Sequence, residues 1–296
     1  MKKTVFTGCA VALITPMHED GSVNYETLGK LVDFHLSSGT SAFVACATTG
    51  ESPVLSHDEH CKVVEFIVNR TAKKVPVIAS SGSNNTAYAL ELSRDLQSVG
   101  ADALLMITPY YNKTSQTGFV KHFTYIADRV DLPIIMYNIP SRTGCNILPE
   151  TYLELSKHPN IAGTKEANGD LAAAAKTAAL CGDDLTIYSG EDNLTLPILS
   201  IGGKGVISTS ANLIPKAMSD ICRLYFQGNE AESRKLFLEY LDLMNVLFID
   251  VNPMPVKAAM NMAGWDCGGC RLPLTSVSEE NKARLRVALK KYGLLV

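Results

Sequence analysis

Short apolar runs alternate with segments of helical spacing through most of the chain. Val5 to Ile14 is apolar and closed by Thr15-Pro16. Tyr25 to Ser38 carries Leu28, Leu31, Val32, His35 and Leu36 at helical spacing and stops at Gly39. Ala42 to Ala47 is a fully apolar strand. Ser56-His-Asp-Glu59 reads as a capping box, serine at the N-cap and glutamate at N3, opening a helix through Arg70. The same alternation predicts strands over 75–79, 103–107, 133–137, 161–164, 185–188 and 205–208. Helices are predicted over 86–99, 118–129, 149–157, 171–180, 194–201 and 215–226. Continuously apolar strands imply a sheet covered on both faces, hence parallel pairing. Eight strand–helix units before Gly228 predict an α/β fold of the (β/α)8 (TIM) barrel kind. An open doubly wound sheet is the competing architecture, but no G-x-G-x-x-G turn follows the first strand.

Beyond Gly228 the alternation ends. Helical patterns over 230–249, 256–263 and 279–291 follow without interleaved strands, and Asn252-Pro-Met-Pro255 breaks between the first two. The expected division is a catalytic barrel, 1–228, and a C-terminal helical appendix, 229–296, packed on the barrel or serving an oligomer contact.

Composition narrows the function. A net charge of −3 gives no electrostatic footprint for nucleic acid. No apolar run is long enough for a membrane span. The basic, apolar start resembles an export signal, but Thr7, Gly8, Thr15 and Pro16 break the run, so a first strand is expected there. The eight cysteines lie scattered in apolar segments, as reduced thiols of a cytoplasmic protein would. Cys267-Gly-Gly-Cys270 has redox or zinc spacing but stands without a second pair, and no metal site is expected.

In a (β/α)8 barrel the chemistry sits at the C-terminal strand ends. Those ends carry Thr48-Thr-Gly-Glu-Ser52, Ser81-Gly-Ser-Asn84, Pro109-Tyr-Tyr-Asn112, Tyr137 to Arg142, Lys165-Glu166, Ser189-Gly-Glu-Asp192 and Ser208 to Asn212. Lys165 ends the sixth predicted strand. At an edge such a lysine snorkels to solvent; inside a barrel its amine is desolvated and becomes a nucleophile toward carbonyl carbon. Tyr137 ends the adjacent strand, where a phenol can shuttle protons for carbinolamine dehydration. Arg142 suits a carboxylate, and Thr48-Thr49-Gly50 a second one through hydroxyls and backbone N–H groups. Gly202-Gly-Lys-Gly205 precedes a strand and lies on the opposite face, so it is not a phosphate loop. His57 and His60 alone are too few for a metal.

Six stretches, in this order, resemble the pyruvate-dependent class I aldolase family that includes N-acetylneuraminate lyase. They are Ala47–Ser52, Pro109–Asn112, Tyr137–Gly144, Gly163–Ala167, Gly205–Ser208 and Asn252–Lys257, and the resemblance covers essentially the whole chain. It implies a lyase in which Lys165 forms an imine with pyruvate and no other cofactor is needed. Tyr137 is then the general acid/base, Thr48 relays protons, and Tyr111 acts from a neighbouring subunit. Thr49 holds the pyruvate carboxylate, Arg142 the carboxylate of aspartate semialdehyde, and backbone groups near Gly190 and Ile207 line the site. The implied product is 4-hydroxy-tetrahydrodipicolinate, on the diaminopimelate and lysine route. The implied assembly is a cytoplasmic homotetramer built from dimers. Sugar aldolases of the family remain the alternative, although they usually lack an arginine at the Arg142 position.

The resemblance also implies a lysine-binding pocket formed by Ser52, Pro53, His57, His60, Asn84, Tyr88 and Tyr110. Inhibited bacterial relatives carry a glutamate where Tyr88 stands. Loss of that charge partner is expected to cost about 2–5 kcal/mol of lysine binding, leaving inhibition weak or absent. Two other classes compete with the aldolase reading. A phosphate-binding barrel enzyme would want an anion nest where Ser189-Gly-Glu-Asp192 is acidic. A non-catalytic barrel would show aliphatic strand ends.

Overall fold

The computed structural model describes Lys2 and residues 4–296. Among the described residues, eight parallel strands close into one barrel in sequence order. They are β1 (Gly8–Ala12), β2 (Ala42–Ala45), β3 (Val77–Ser80), β4 (Ala103–Ile107), β5 (Ile134–Asn138), β6 (Ile161–Glu166), β7 (Thr186–Ser189) and β8 (Gly205–Ser208).

Two apolar layers result from strand alternation. Ala10, Ala12, Ala42, Val44, Ile78, Ala103, Leu105 and Ile135 point inward and fill the barrel. Their neighbours Cys9, Val11, Phe43, Ala45, Val77, Leu104 and Ile134 point outward beneath the helices. Small inward residues suit a barrel with no lumen. Closure joins β1 to β8 with Gly8 opposite Gly205. A Cβ on Gly205 would lie 2.0 Å from the Gly8 carbonyl oxygen, so only glycine lets the last strand reach the first.

The predicted elements are present, with shifted ends. The capping box at Ser56 forms in both directions and opens His57–Thr71. The first strand is confined to Gly8–Ala12, and β6 runs on past Thr164 to include Lys165 and Glu166. The helix expected to reach Ile249 stops at Val246, and the next begins at Met254. One turn of helix, Pro140–Thr143, has no apolar period to announce it. Proline at its start and Gly144 in the left-handed conformation at its end define it, and it carries Arg142.

The C-terminal helices Glu230–Val246, Met254–Met262 and Glu279–Lys291 follow Pro215–Phe226. The segment 252–271 is tied into the barrel's mouth. Lys257 and Glu51, both almost wholly buried, form an ion pair at 2.7 Å. Lys257 Nζ also donates to the Gly269 carbonyl (2.6 Å), and the Arg271 N–H donates to the other Glu51 oxygen (2.9 Å). Cys267-Gly-Gly-Cys270 is thus a turn that seats Lys257. Burial pushes both of its thiols up to about 12, and the eight cysteines are all free. No helix among the described residues is long and apolar enough to cross a membrane.

Candidate active site

Register brings the two central groups together. Tyr137 of β5 is paired with Lys165 of β6, and Asn138 with Glu166. Lys165 is 5% exposed, and its Nζ lies 4.2 Å from the centroid of the Tyr137 ring. Gly190, at the end of β7, makes room for it. A Cβ there would lie 3.1 Å from Lys165 Cγ and 2.7 Å from Ala167 Cβ, while the Gly190 N–H donates to the Glu166 carbonyl at 2.7 Å.

Burial lowers the Lys165 amine to about 8. The Asp192 carboxylate pulls it back up and the Arg142 guanidinium pushes it further down. The Tyr137 phenol moves the other way, up to about 12 by burial, against Arg142 and the Thr48 hydroxyl, which favour its anion. Near neutral pH the pair is therefore an amine close to losing its proton beside a phenol that keeps its own. Asp192 is buried, with Oδ2 accepting from the Ser210 N–H at 2.8 Å and Oδ1 without a protein partner among the described residues. Glu191, half-buried at the mouth, has its carboxyl raised by desolvation.

The hydroxyl and arginine candidates converge on one segment. Thr49 Oγ1 accepts from Asn252 Nδ2 at 3.0 Å and lies 3.3 Å from Thr209 Oγ1. Arg142, on the surface, donates from Nη2 to the Asn252 carbonyl at 3.2 Å. Asn252 thus joins two groups that sequence reading assigned to two carboxylates. Its motif signalled only a helix break, because nothing local tells which loop a C-terminal asparagine will meet. Ile207 is buried in β8 and packs with Tyr137 inside the barrel.

Thr48 and Tyr137 line one side of a cavity of about 230 Å³ whose other wall includes Ser52, Pro53, His60, Tyr88 and Tyr110. Five of the seven residues of the expected lysine pocket are therefore contiguous with the catalytic candidates. Of the remaining two, His57 donates to or accepts from Asp95 Oδ2 at 2.9 Å and packs edge-on against Tyr88, and the Asn84 carbonyl accepts from Asn112 Nδ2 at 3.0 Å. Desolvation holds the His60 imidazole at about 4, hence neutral. Tyr111 is not part of this lining. It stands 91% exposed on a left-handed backbone (φ 66°), a conformation unfavourable for an aromatic residue.

A family model described as the Dihydrodipicolinate synthetase family matches residues 5–292. The chain is 51% identical over 292 residues to a 4-hydroxy-tetrahydrodipicolinate synthase of Thermoanaerobacter sp. (strain X514), with 98% of each chain covered. Its structure is similar to that of dihydrodipicolinate synthase from Aquifex aeolicus, with a TM-score of 0.96, 44% identity, and 98% and 99% of the two chains covered. It is also similar to the lysine-bound enzyme of Cyanidioschyzon merolae, with a TM-score of 0.96, 38% identity, and 99% and 100% covered.

Proposed function

The chain belongs to the dihydrodipicolinate synthetase family, and on that premise we propose that it is a 4-hydroxy-tetrahydrodipicolinate synthase, a lyase condensing pyruvate with L-aspartate 4-semialdehyde. One observation carries the chemistry. An amine lowered to about 8 is buried against a phenol raised to about 12 at the working end of the barrel.

Neutral Lys165 attacks the pyruvate ketone, and Tyr137 hands protons to the oxygen that leaves as water, giving the imine. Loss of a methyl proton gives the enamine, whose carbon attacks the aldehyde. The substrate's own amine then displaces Lys165 from the imine carbon, closing the ring and freeing the enzyme, with one water released overall. Thr48 relays protons between Tyr137 and Tyr111 of the partner subunit, and the exposure of Tyr111 supports a role outside its own chain. Thr49, Gly190 and Ile207 hold the pyruvate moiety, and Arg142 takes the carboxylate of the semialdehyde. The covalent imine on Lys165 replaces any separate cofactor.

We divide the chain into a catalytic barrel (1–228) and a C-terminal three-helix segment (229–296), assembled as a cytoplasmic homotetramer of dimers. Ser52, His57, His60, Asn84, Tyr88 and Tyr110 mark a regulatory pocket with weakened lysine affinity. The decisive experiment is reduction with borohydride in the presence of pyruvate, followed by mass mapping. An adduct on Lys165 is expected, and its absence overturns the proposal. Turnover of aspartate semialdehyde and not of N-acetylneuraminate separates this enzyme from the sugar aldolases.

A further inference from the structure

The residue after each of the two facing groups points out of the barrel. Asn138 follows Tyr137, Glu166 follows Lys165, and strand alternation sends both into the helix layer. There the buried Glu166 carboxylate accepts from Asn138 Nδ2 (3.0 and 3.2 Å), the Tyr152 hydroxyl (2.9 Å) and the Asn168 N–H (3.1 Å). Tyr152 receives the Thr164 hydroxyl at 3.0 Å, which commits its own proton to the carboxylate. Asn138 also donates to Asn146 Oδ1 at 2.7 Å and accepts from the Ile147 N–H at 3.2 Å. One carboxylate therefore ties the ends of β5 and β6 to helix Pro149–Leu155 and, through Asn138, to the segment that follows Arg142.

Two features separate this cluster from ordinary packing. None of the ion pairs among the described residues includes Glu166, so a carboxyl is buried without a cation; an apolar residue would fill the same space at less expense. The β5–β6 ladder also slips at Ile134/Ile135, where β6 carries an extra residue between Ile161 and Gly163. Beyond such a bulge the strand bends and its local twist increases. The Asn138–Glu166 clamp sits one residue past the Tyr137–Lys165 pair, where it fixes how the two strand ends face each other.

We infer that Glu166 is a positioning residue: its carboxylate holds Lys165 and Tyr137 in the mutual orientation that imine formation requires, without touching substrate. The inference rests on the functional reading above. Glutamine at 166 keeps the shape but sets an amide N–H against groups that are already donors. The test mixes wild type, Glu166→Gln and Tyr152→Phe with pyruvate, quenches with borohydride at timed intervals and counts the Lys165 adduct, alongside steady-state kinetics and thermal unfolding. Adduct formation per folded molecule is expected to fall about 10- to 100-fold in Glu166→Gln and less in Tyr152→Phe, with pyruvate KM within about twofold. A Glu166→Gln enzyme that melts earlier yet forms the adduct at the wild-type rate overturns the inference, since the carboxylate then serves only the fold. Should that variant not fold, Tyr152→Phe decides, and a wild-type rate from it is equally fatal. Wild type without any adduct overturns the functional reading, and this inference with it. An adduct on wild type with unaffected variants overturns the inference alone.

Discussion

Lys165 weakens the fold so that it can react. Its amine titrates near 8 in the folded chain, against 10.5 for the unfolded one. Between those values the unfolded chain binds more protons, so stability rises with pH across that window. Below pH 8 the whole penalty is present, about 3 kcal/mol for a shift of this size. Lys165→Met is therefore expected to abolish turnover while raising the melting temperature at pH 7, with the gain shrinking toward pH 10.5. Calorimetry at the two pH values checks both halves. In wild type the rate of pyruvate trapping should climb with pH up to about 8 and then level off. Arg142→Ala should move that midpoint upward, because the guanidinium lowers the amine. The same variant should raise the KM for aspartate semialdehyde about 10- to 100-fold, the equivalent of one charge-assisted contact, and still form the pyruvate adduct. At this scale the reactive lysine and tyrosine were legible in the sequence, because strand counting puts them at adjacent ends. Asp192 and Asn252 were not, since their roles depend on loops from other parts of the chain.

Among the elements, strands and helices were visible because the periodicity that makes them is local. Their ends were less so: a strand ends where its neighbour stops offering hydrogen bonds, and β6 therefore extends through Lys165 and Glu166. The helices read as an appendix are built into the mouth instead. Asn252 reaches Thr49, and Lys257 pairs with Glu51, two residues after Thr49. Lys257→Met leaves the Glu51 carboxylate buried without its cation and is expected to cost about 3–5 kcal/mol in urea unfolding. Adding Glu51→Gln removes the stranded charge and should recover part of that loss.

For the whole molecule, the exposed Tyr111 makes a prediction that needs two chains. Lys165→Ala and Tyr111→Phe subunits are each expected to be nearly inactive alone. Mixed and reassembled, they should regain activity, because some sites then draw an intact lysine from one chain and an intact tyrosine from the other. Failure to complement, with mixed oligomers verified by mass, places Tyr111 outside the reaction. Lysine titration of the same enzyme should give weak or no inhibition below the millimolar range, since Tyr88 brings no carboxylate to the ammonium.

The sequence by itself determined the barrel, its order and the strand-end identity of Lys165 and Tyr137. Each of these follows from apolar periodicity and from the alternation of side chains along a strand, which act over a few residues. Only the tertiary structure decided that the amine is dry enough to titrate near 8, that Asn252 bridges Thr49 and Arg142, and that Glu166 clamps the strand ends from behind. Desolvation and hydrogen bonding between distant segments depend on what the folded chain brings within a few ångströms, and no local pattern of residues encodes that.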